Sequence, residues 1–374
     1  MLQQYAKPYY DSIPQKYWDS VKINGKIYAG INYQITYYQR AIYFKKELVD
    51  KYKFDLSNIK TIRDLEPMLD TIKKNEPEII PLLSTTLTGI DDPTNNLEMG
   101  WRYDNIGNVV PEAVIDRQAN DYKVINLLDT PEWLESYNTM RDFYLKGYIA
   151  KDAASIKDER AEASTGKYFA LSQSYKPGGE IDMKSRVGYD VVAAPVMKSQ
   201  AGAQTATMTA IPVSSKNPER AMMLLNLVNT DKELYNLLCF GIEGVHYTKI
   251  DDVTVKSIEN SGYAPNLDWE FGNQFNGYFR EGQPNTIWDE TNIENEKAEL
   301  SSLLGFVFNT EPVKNELAEL SNIYTTYIGA LMTGTVDPQE TLPIMNEAYK
   351  AAGQEKVFAE LQKQIDEWRV ANNK

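Results

Sequence analysis

The chain has 374 residues, 42% of them hydrophobic and 25% charged, which is enough for two or three domains with substantial cores. A formal charge of −14 without clustered Lys and Arg argues against nucleic acid, because neutralising phosphates needs concentrated positive charge, and fits a secreted protein with an uncharged ligand. One cysteine excludes a disulfide within the chain, one histidine weakens metal-site and histidine-triad chemistry, and no apolar run approaches the roughly 18 residues of a membrane span.

Tyrosine is the compositional outlier, with 25 copies beside 11 Phe and 6 Trp. It combines an apolar face with a hydroxyl at low rotamer cost, which suits amphipathic ligands. The single cysteine, Cys239, lies in the apolar run LLCF and reads as a buried, inert thiol.

In chain order, residues 1–20 read as a loop and short helix ending near Trp18. Asn24-Gly25 is a hairpin turn signal between β-like runs at 18–23 and 26–31. Residues 41–53 run from strand into helix. A helix is expected over 61–75, with Ile62, Leu65, Met68, Leu69 and Ile72 on one face, and a strand over 79–83. Residues 84–130 read as loop-rich, with a turn cluster at 91–96 and an aromatic tip at Gly100-Trp101-Arg102-Tyr103. Thr130-Pro131-Glu132 opens a helix to about Lys146, and strands are expected at 167–171 and 188–195.

The stretch 205–247 is the most informative. Residues 205–213 are β-branched and partly apolar, hence a strand. Asn217 is positioned as an N-cap with Pro218 at the first helical position, and 219–229 repeats Ala221, Met222, Leu224, Leu225 and Val228 at helical spacing. A second helix starts at Asp231 and leaves through Gly241-Ile242-Glu243-Gly244-Val245-His246-Tyr247. A strand pair, the segment 266–275 (NLDWEFGNQF) and helices at 292–303, 311–333 and from 338 onward complete the chain, with Gly334 closing one helix. No internal repeat or low-complexity tract occurs.

Several of these segments together carry a resemblance. SSKNPERA after a strand, the loop FGIEGVHY, the run GKIYAGINY, the strand-to-helix AIYFKKEL, GYDVVAAP and the WEFGNQ segment are similar to extracellular solute-binding proteins of carbohydrate ABC importers, in particular the lipoprotein-type proteins of Gram-positive bacteria with a distinctive C-terminal region. Gly30 and Ile31 depart from the family pattern, where proline is common. The resemblance implies an α/β, two-lobed periplasmic-binding-protein-like fold of type II. It assigns residues 1–33 and 206–248 to a remnant of the N-terminal lobe, and 34–205 and 249–374 to the C-terminal lobe with its helices. The resemblance begins in mid-domain and the opening MLQQYAKPYYDS has no signal or lipobox cysteine, so an incomplete first lobe, short of roughly 100 residues by ordinary domain size, is expected. The implied function is capture of a carbohydrate, an oligosaccharide in first place, in an inter-lobe cleft, and its delivery to ABC permease subunits. The full-length protein would be extracellular and attached to the cell surface by a lipid anchor.

Sugars present CH faces and hydroxyl edges, so they call for aromatic platforms beside planar hydrogen-bonding groups. Trp269 with Asn273, expected at i and i+4 on a helix start, is the best local pairing; the alternative is a core tryptophan. The resemblance adds Trp101 and Tyr103 as ring contacts on a loop, and Tyr33, Gln34 and Tyr37 just after the first hinge-like crossing. It also adds Tyr175 near Pro177-Gly178-Gly179, and ordinary packing is the competing reading for each of these residues. Glu243 and His246 are ligand candidates whose competing reading is a structural turn. No catalytic residue, metal ligand or cofactor is assigned: GxxxxGK, GxGxxG, CxxC, HExxH and GxSxG are all missing from the sequence. Two other functions stay open. One is a carbohydrate-active enzyme or an inactive relative, which would need two carboxylates across the scissile bond. The other is a truncated partner-binding scaffold, whose exposed sheet edge and apolar surface would favour self-association.

Overall fold

The structure, a computed structural model, describes residues 1–372 except 24, 86–101, 107–109, 202–206, 264 and 266. The turn cluster at 91–96, Trp101 and the first residues of the expected 205–213 strand lie outside the described residues. The chain forms two compact units: Met1–Tyr37, Ala201–Leu300 and Leu304–Val307 in the first; Tyr38–Gln200, Ser301–Leu303 and Phe308–Lys374 in the second. The sequence reading grouped residues 249–374 with 34–205, whereas residues 249–300 pack into the first unit. Side-chain to backbone hydrogen bonds hold them there: Tyr235 Oη donates to Asp268 O at 2.7 Å, and Asn236 Nδ2 to Asn276 O at 3.0 Å.

The second unit is built on a four-stranded sheet in the order Val191–Pro195, Arg40–Lys45, Tyr168–Ser174, Ile80–Leu83. The first two pairings are antiparallel and the last is parallel. Alternation along Arg40–Lys45 sends Ile42 and Phe44 to one core and Ala41 and Tyr43 to the other, so the strand is buried on both faces. The expected 61–75 helix is a 3-10 turn, Ile62–Leu65, followed by the helix Glu66–Asn75, and all five residues of its predicted face are buried. Pro67 in the first turn removes only an N–H that has no partner within the helix.

The loop reading of 84–130 needs correction. Tyr103–Asn105, Ala113–Asp116 and Val124–Asn126 form an antiparallel meander. Their three- and four-residue lengths give too little alternation to read from sequence. The C-terminal helix Gln354–Ala371 braces this meander: Val124 N donates to Gln362 Oε1, and the Arg369 guanidinium sits 4.2 Å over the Tyr122 ring. Buried Asp104 pairs with Arg117 and accepts from Ser301 Oγ at 2.6 Å and Ser302 N at 3.1 Å, tying 301–303 into this unit.

In the first unit, Pro218–Thr230 and Lys232–Phe240 are helices as expected, and Asp231 caps the second by accepting from Leu234 N. Leu224, one of the apolar residues at helical spacing, is exposed together with Met223 and Leu227. Residues 18–20 are helical rather than β-like because Pro14 starts the helix Gln15–Ser20, which buries Trp18 against Tyr9 and Tyr10. The helix expected over 292–303 instead spans Ile287–Lys297 and ends in a two-residue strand, Glu299–Leu300. Residues 338 onward split into Pro338–Ala351 and Gln354–Ala371, because Gly353 at φ +89° interrupts the helix.

Burial holds aromatic hydroxyls and the lone thiol in their neutral forms. Desolvation, with a smaller contribution from Tyr17, pushes the Tyr33 hydroxyl up to about 12. Burial does the same to Tyr189 and pushes the Cys239 thiol up to about 12. A pKa raised in the folded state contributes stability that is fully present below the unfolded value and is lost as pH rises through the folded value. Alkaline unfolding is therefore expected between about pH 10 and 12, with tyrosinate absorbance and loss of helical circular dichroism rising together. A thiol reagent at pH 8 should not label Cys239 until denaturant is added. Tyrosines that all ionise near pH 10 with the fold intact would contradict this.

Candidate functional site

The residues around Trp269 form a platform in the first unit. Asp268–Phe271 is a helix of only four residues, too short to be stable by its own hydrogen bonds. Its carbonyls are satisfied from outside instead. Asp268 O accepts from Tyr235 Oη at 2.7 Å, Trp269 O from Thr207 Oγ1 at 3.3 Å and Gln34 Nε2 at 3.5 Å, and Glu270 O from Asn32 Nδ2 at 2.7 Å. Gln34 Nε2 also donates to Thr207 Oγ1. The Asp268 carboxylate takes both its oxygens to Arg280 Nη2 at 2.9 Å. Four side chains thus fix the backbone of this turn, and Arg280 holds the Asp268 carboxylate, while the Trp269 indole, at 37% exposure, is the most open of the described tryptophans. A fixed, exposed indole beside carboxamides has the chemistry to stack on an apolar ring face.

The expected pairing of Trp269 with Asn273 on one helix face does not form. The helix stops at Gly272, whose added Cβ would come within 3.0 Å of the Val228 carbonyl carbon, so glycine lets the two segments approach. Asn273 then caps the next turn, accepting from Phe275 N at 3.1 Å, and is buried. Gln34 is brought to Trp269, but through its backbone carbonyl. The Tyr33 ring is enclosed by Tyr17 and Phe275, and Tyr37 packs with Ala201 and Ala298. Glu243 is exposed and lies 3.5 Å from Lys249 Nζ. His246 Nδ1 accepts from Ile242 N at 2.8 Å and its ring leans on Tyr263, so both are engaged in the turn that carries them.

In the second unit, Tyr103 is buried with its hydroxyl donating to Glu132 Oε2 at 3.3 Å. Tyr175 is half-buried, its ring 6.5 Å from that of Tyr43 and its N–H donating to Gln39 O at 2.8 Å. That bond places it at the sheet end beside Arg40, which opens the strand Arg40–Lys45 and is 6% exposed. Sequence reasoning passed over Arg40, although a charge opening an apolar strand was a visible signal. It also passed over Asn32 and Thr207, whose roles depend on contacts with residues far along the chain. A cavity of about 680 Å³ edged by Arg63, Lys146 and Tyr148, and one of about 600 Å³ edged by Tyr28, Met222 and Leu225, contain none of the ligand-contact candidates named from sequence. Among the described residues no group of three His, Cys, Asp or Glu could hold a metal ion, and no helix is long and apolar enough to cross a membrane.

A family model described as a domain of unknown function (DUF3502) matches residues 302–370, the C-terminal helical segment. Over 98% of its length the chain is 31% identical to a carbohydrate ABC transporter substrate-binding protein of Streptococcus pneumoniae serotype 4, and it covers 74% of that protein. The crystal structure of the N-glycan transport solute binding protein NgtS from Streptococcus pneumoniae matches all of this chain and 82% of its own at a TM-score of 0.85 and 28% identity. The complex of NgtS with Man5GlcNAc matches at 0.79 and 29%, again covering all of this chain and 82% of that one. An extracellular solute-binding protein from Bifidobacterium longum subsp. infantis, at 16% identity and a TM-score of 0.61, shares the fold; it covers 98% of this chain and 82% of that one.

Proposed function

We propose, from the premise that this chain belongs to the family of carbohydrate ABC transporter substrate-binding proteins, that it binds an oligosaccharide outside the cell and hands it unaltered to an import permease. The observation that carries this reading is the relation to that family over nearly the whole chain, together with the superposition on NgtS, a protein crystallised with Man1GlcNAc and with Man5GlcNAc. Trp269 is the stacking surface in this reading: its backbone is pinned through the carbonyls of residues 268–270, and its ring is the part left open. Tyr175, half-buried in the second unit, is a further aromatic candidate for ligand contact. Glu243 is paired with Lys249 and His246 accepts from the Ile242 N–H, so neither is a free acid or base, which favours binding without turnover.

Incubation with a mannose- and N-acetylglucosamine-containing oligosaccharide, followed by gel filtration and chromatography of the released ligand, tests both parts. The saccharide is expected to co-elute with the protein and to be recovered at its original chain length. Shortened products would move the protein to the enzymatic reading.

A further inference from the structure

Arg40 is a buried cation with no acidic partner among the described residues. It is 6% exposed, and its Nε has no hydrogen-bond partner. In the same unit Arg117 pairs with Asp104, Arg102 with Asp116 and Glu132, and Arg63 with Glu135 and Asp142, while Arg141 donates to the Gly334 and Thr335 carbonyls. An arginine cannot discard its charge by losing a proton, so burying one without a counter-charge costs free energy that packing does not return. Hydroxyl or carbonyl acceptors would satisfy its donors but leave the charge.

Its position is also specific. Arg40 lies on the face of its strand that carries Ile42 and Phe44, and it is in register with Ser174, the last residue of the neighbouring strand. That strand runs parallel to Ile80–Leu83, so Arg40 sits at the carboxyl ends of the parallel pair, where open α/β sheets bind ligands. Tyr175, one residue beyond Ser174, is tied to the same end through Gln39 O.

We propose that Arg40 anchors an anion site at this sheet end that takes the carboxylate of an acidic saccharide, such as a uronate or sialate residue. The inference rests on the reading of the chain as a saccharide-binding protein and adds the charge class of its ligand. A planar carboxylate meets the guanidinium through two parallel hydrogen bonds and cancels its charge, which a neutral sugar cannot do. The negative total charge of the protein makes such a local cation necessary for holding an anion.

The test compares wild type, Arg40→Met and Arg40→Gln by calorimetry against a neutral oligosaccharide, its uronate-terminated counterpart and sodium sulfate, with melting temperatures of the free proteins alongside. Wild type should prefer the acidic saccharide at least tenfold, and both variants should lose that preference while binding the neutral one unchanged. Free Arg40→Met should melt at or above the wild-type temperature, because an uncompensated charge has been removed. Equal affinity for the two saccharides in wild type, or a variant that melts several degrees lower, overturns the inference and leaves the saccharide-binding reading standing. Sulfate binding that Arg40→Met abolishes, without any preference among saccharides, reduces the site to a free-anion site and overturns the ligand assignment. Failure of wild type to bind either saccharide removes both readings.

Discussion

Gly334→Ala is expected to be among the most destabilising single-methyl changes in the protein, at about 2–5 kcal/mol, or a fall of roughly 5–10 °C in melting temperature. Gly334 follows the helix Lys314–Met332 at φ +68°. Its N–H donates to Leu331 O, and Thr335 N–H to Ala330 O, the paired bonds that close a helix through a left-handed residue. An added Cβ would stand 2.5 Å from the Met140 carbonyl carbon and 2.8 Å from Arg141 N, and backbone atoms cannot swing aside as a flexible side chain can. The same contact seats the Arg141 guanidinium, whose Nη1 donates to the Gly334 and Thr335 carbonyls. Gly188→Ala is the control. Gly188 also closes a helix, at φ +81°, but an added Cβ there meets nothing within 4 Å, so only the conformational cost of about 1 kcal/mol should appear. Equal effects at the two positions, measured by thermal denaturation, would mean that close packing against Met140 contributes nothing.

Trp269→Ala is expected to weaken oligosaccharide affinity by roughly 10- to 100-fold, the loss of about 1.5–3 kcal/mol for removing a buried aromatic face. The melting temperature should barely move. Trp269 holds its neighbours through its backbone carbonyl, which accepts from Thr207 and Gln34, and an alanine keeps that carbonyl in place. Trp133→Ala gives the opposite pattern: Trp133 is 2% exposed and stacks edge-on with Tyr137, so its removal leaves a cavity and costs about 3–5 kcal/mol of stability. A Trp269→Ala protein that binds as wild type, or one that unfolds, would contradict the assignment of Trp269 as a platform.

What the sequence made legible was local chemistry. The capping and proline signals at Asn217-Pro218 and Thr130-Pro131 locate helices that begin at Pro218 and Pro131, and the apolar face from Ile62 to Ile72 is buried throughout. The Asn24-Gly25 signal falls where Lys22–Ile23 pairs with Lys26–Ile27. Long-range pairing was not legible. Nothing in WEFGNQ announces that Gly272 abuts Val228, and that approach is what ends the helix and separates Trp269 from Asn273. The meander from Tyr103 to Asn126 was hidden for a related reason, since its short strands depend on the brace from Gln362 and Arg369 far along the chain. Tyr33 and Tyr103 are buried, which composition could not show: the residue type that suits a ligand also fills cores.

The most direct measurement of the central claim is a calorimetric titration of the intact chain with branched mannose- and N-acetylglucosamine-containing oligosaccharides. The account predicts a saturable, one-to-one heat of binding with one of them, accompanied by a rise in melting temperature. A correctly folded protein that gives no binding heat and no thermal shift across the series would contradict it.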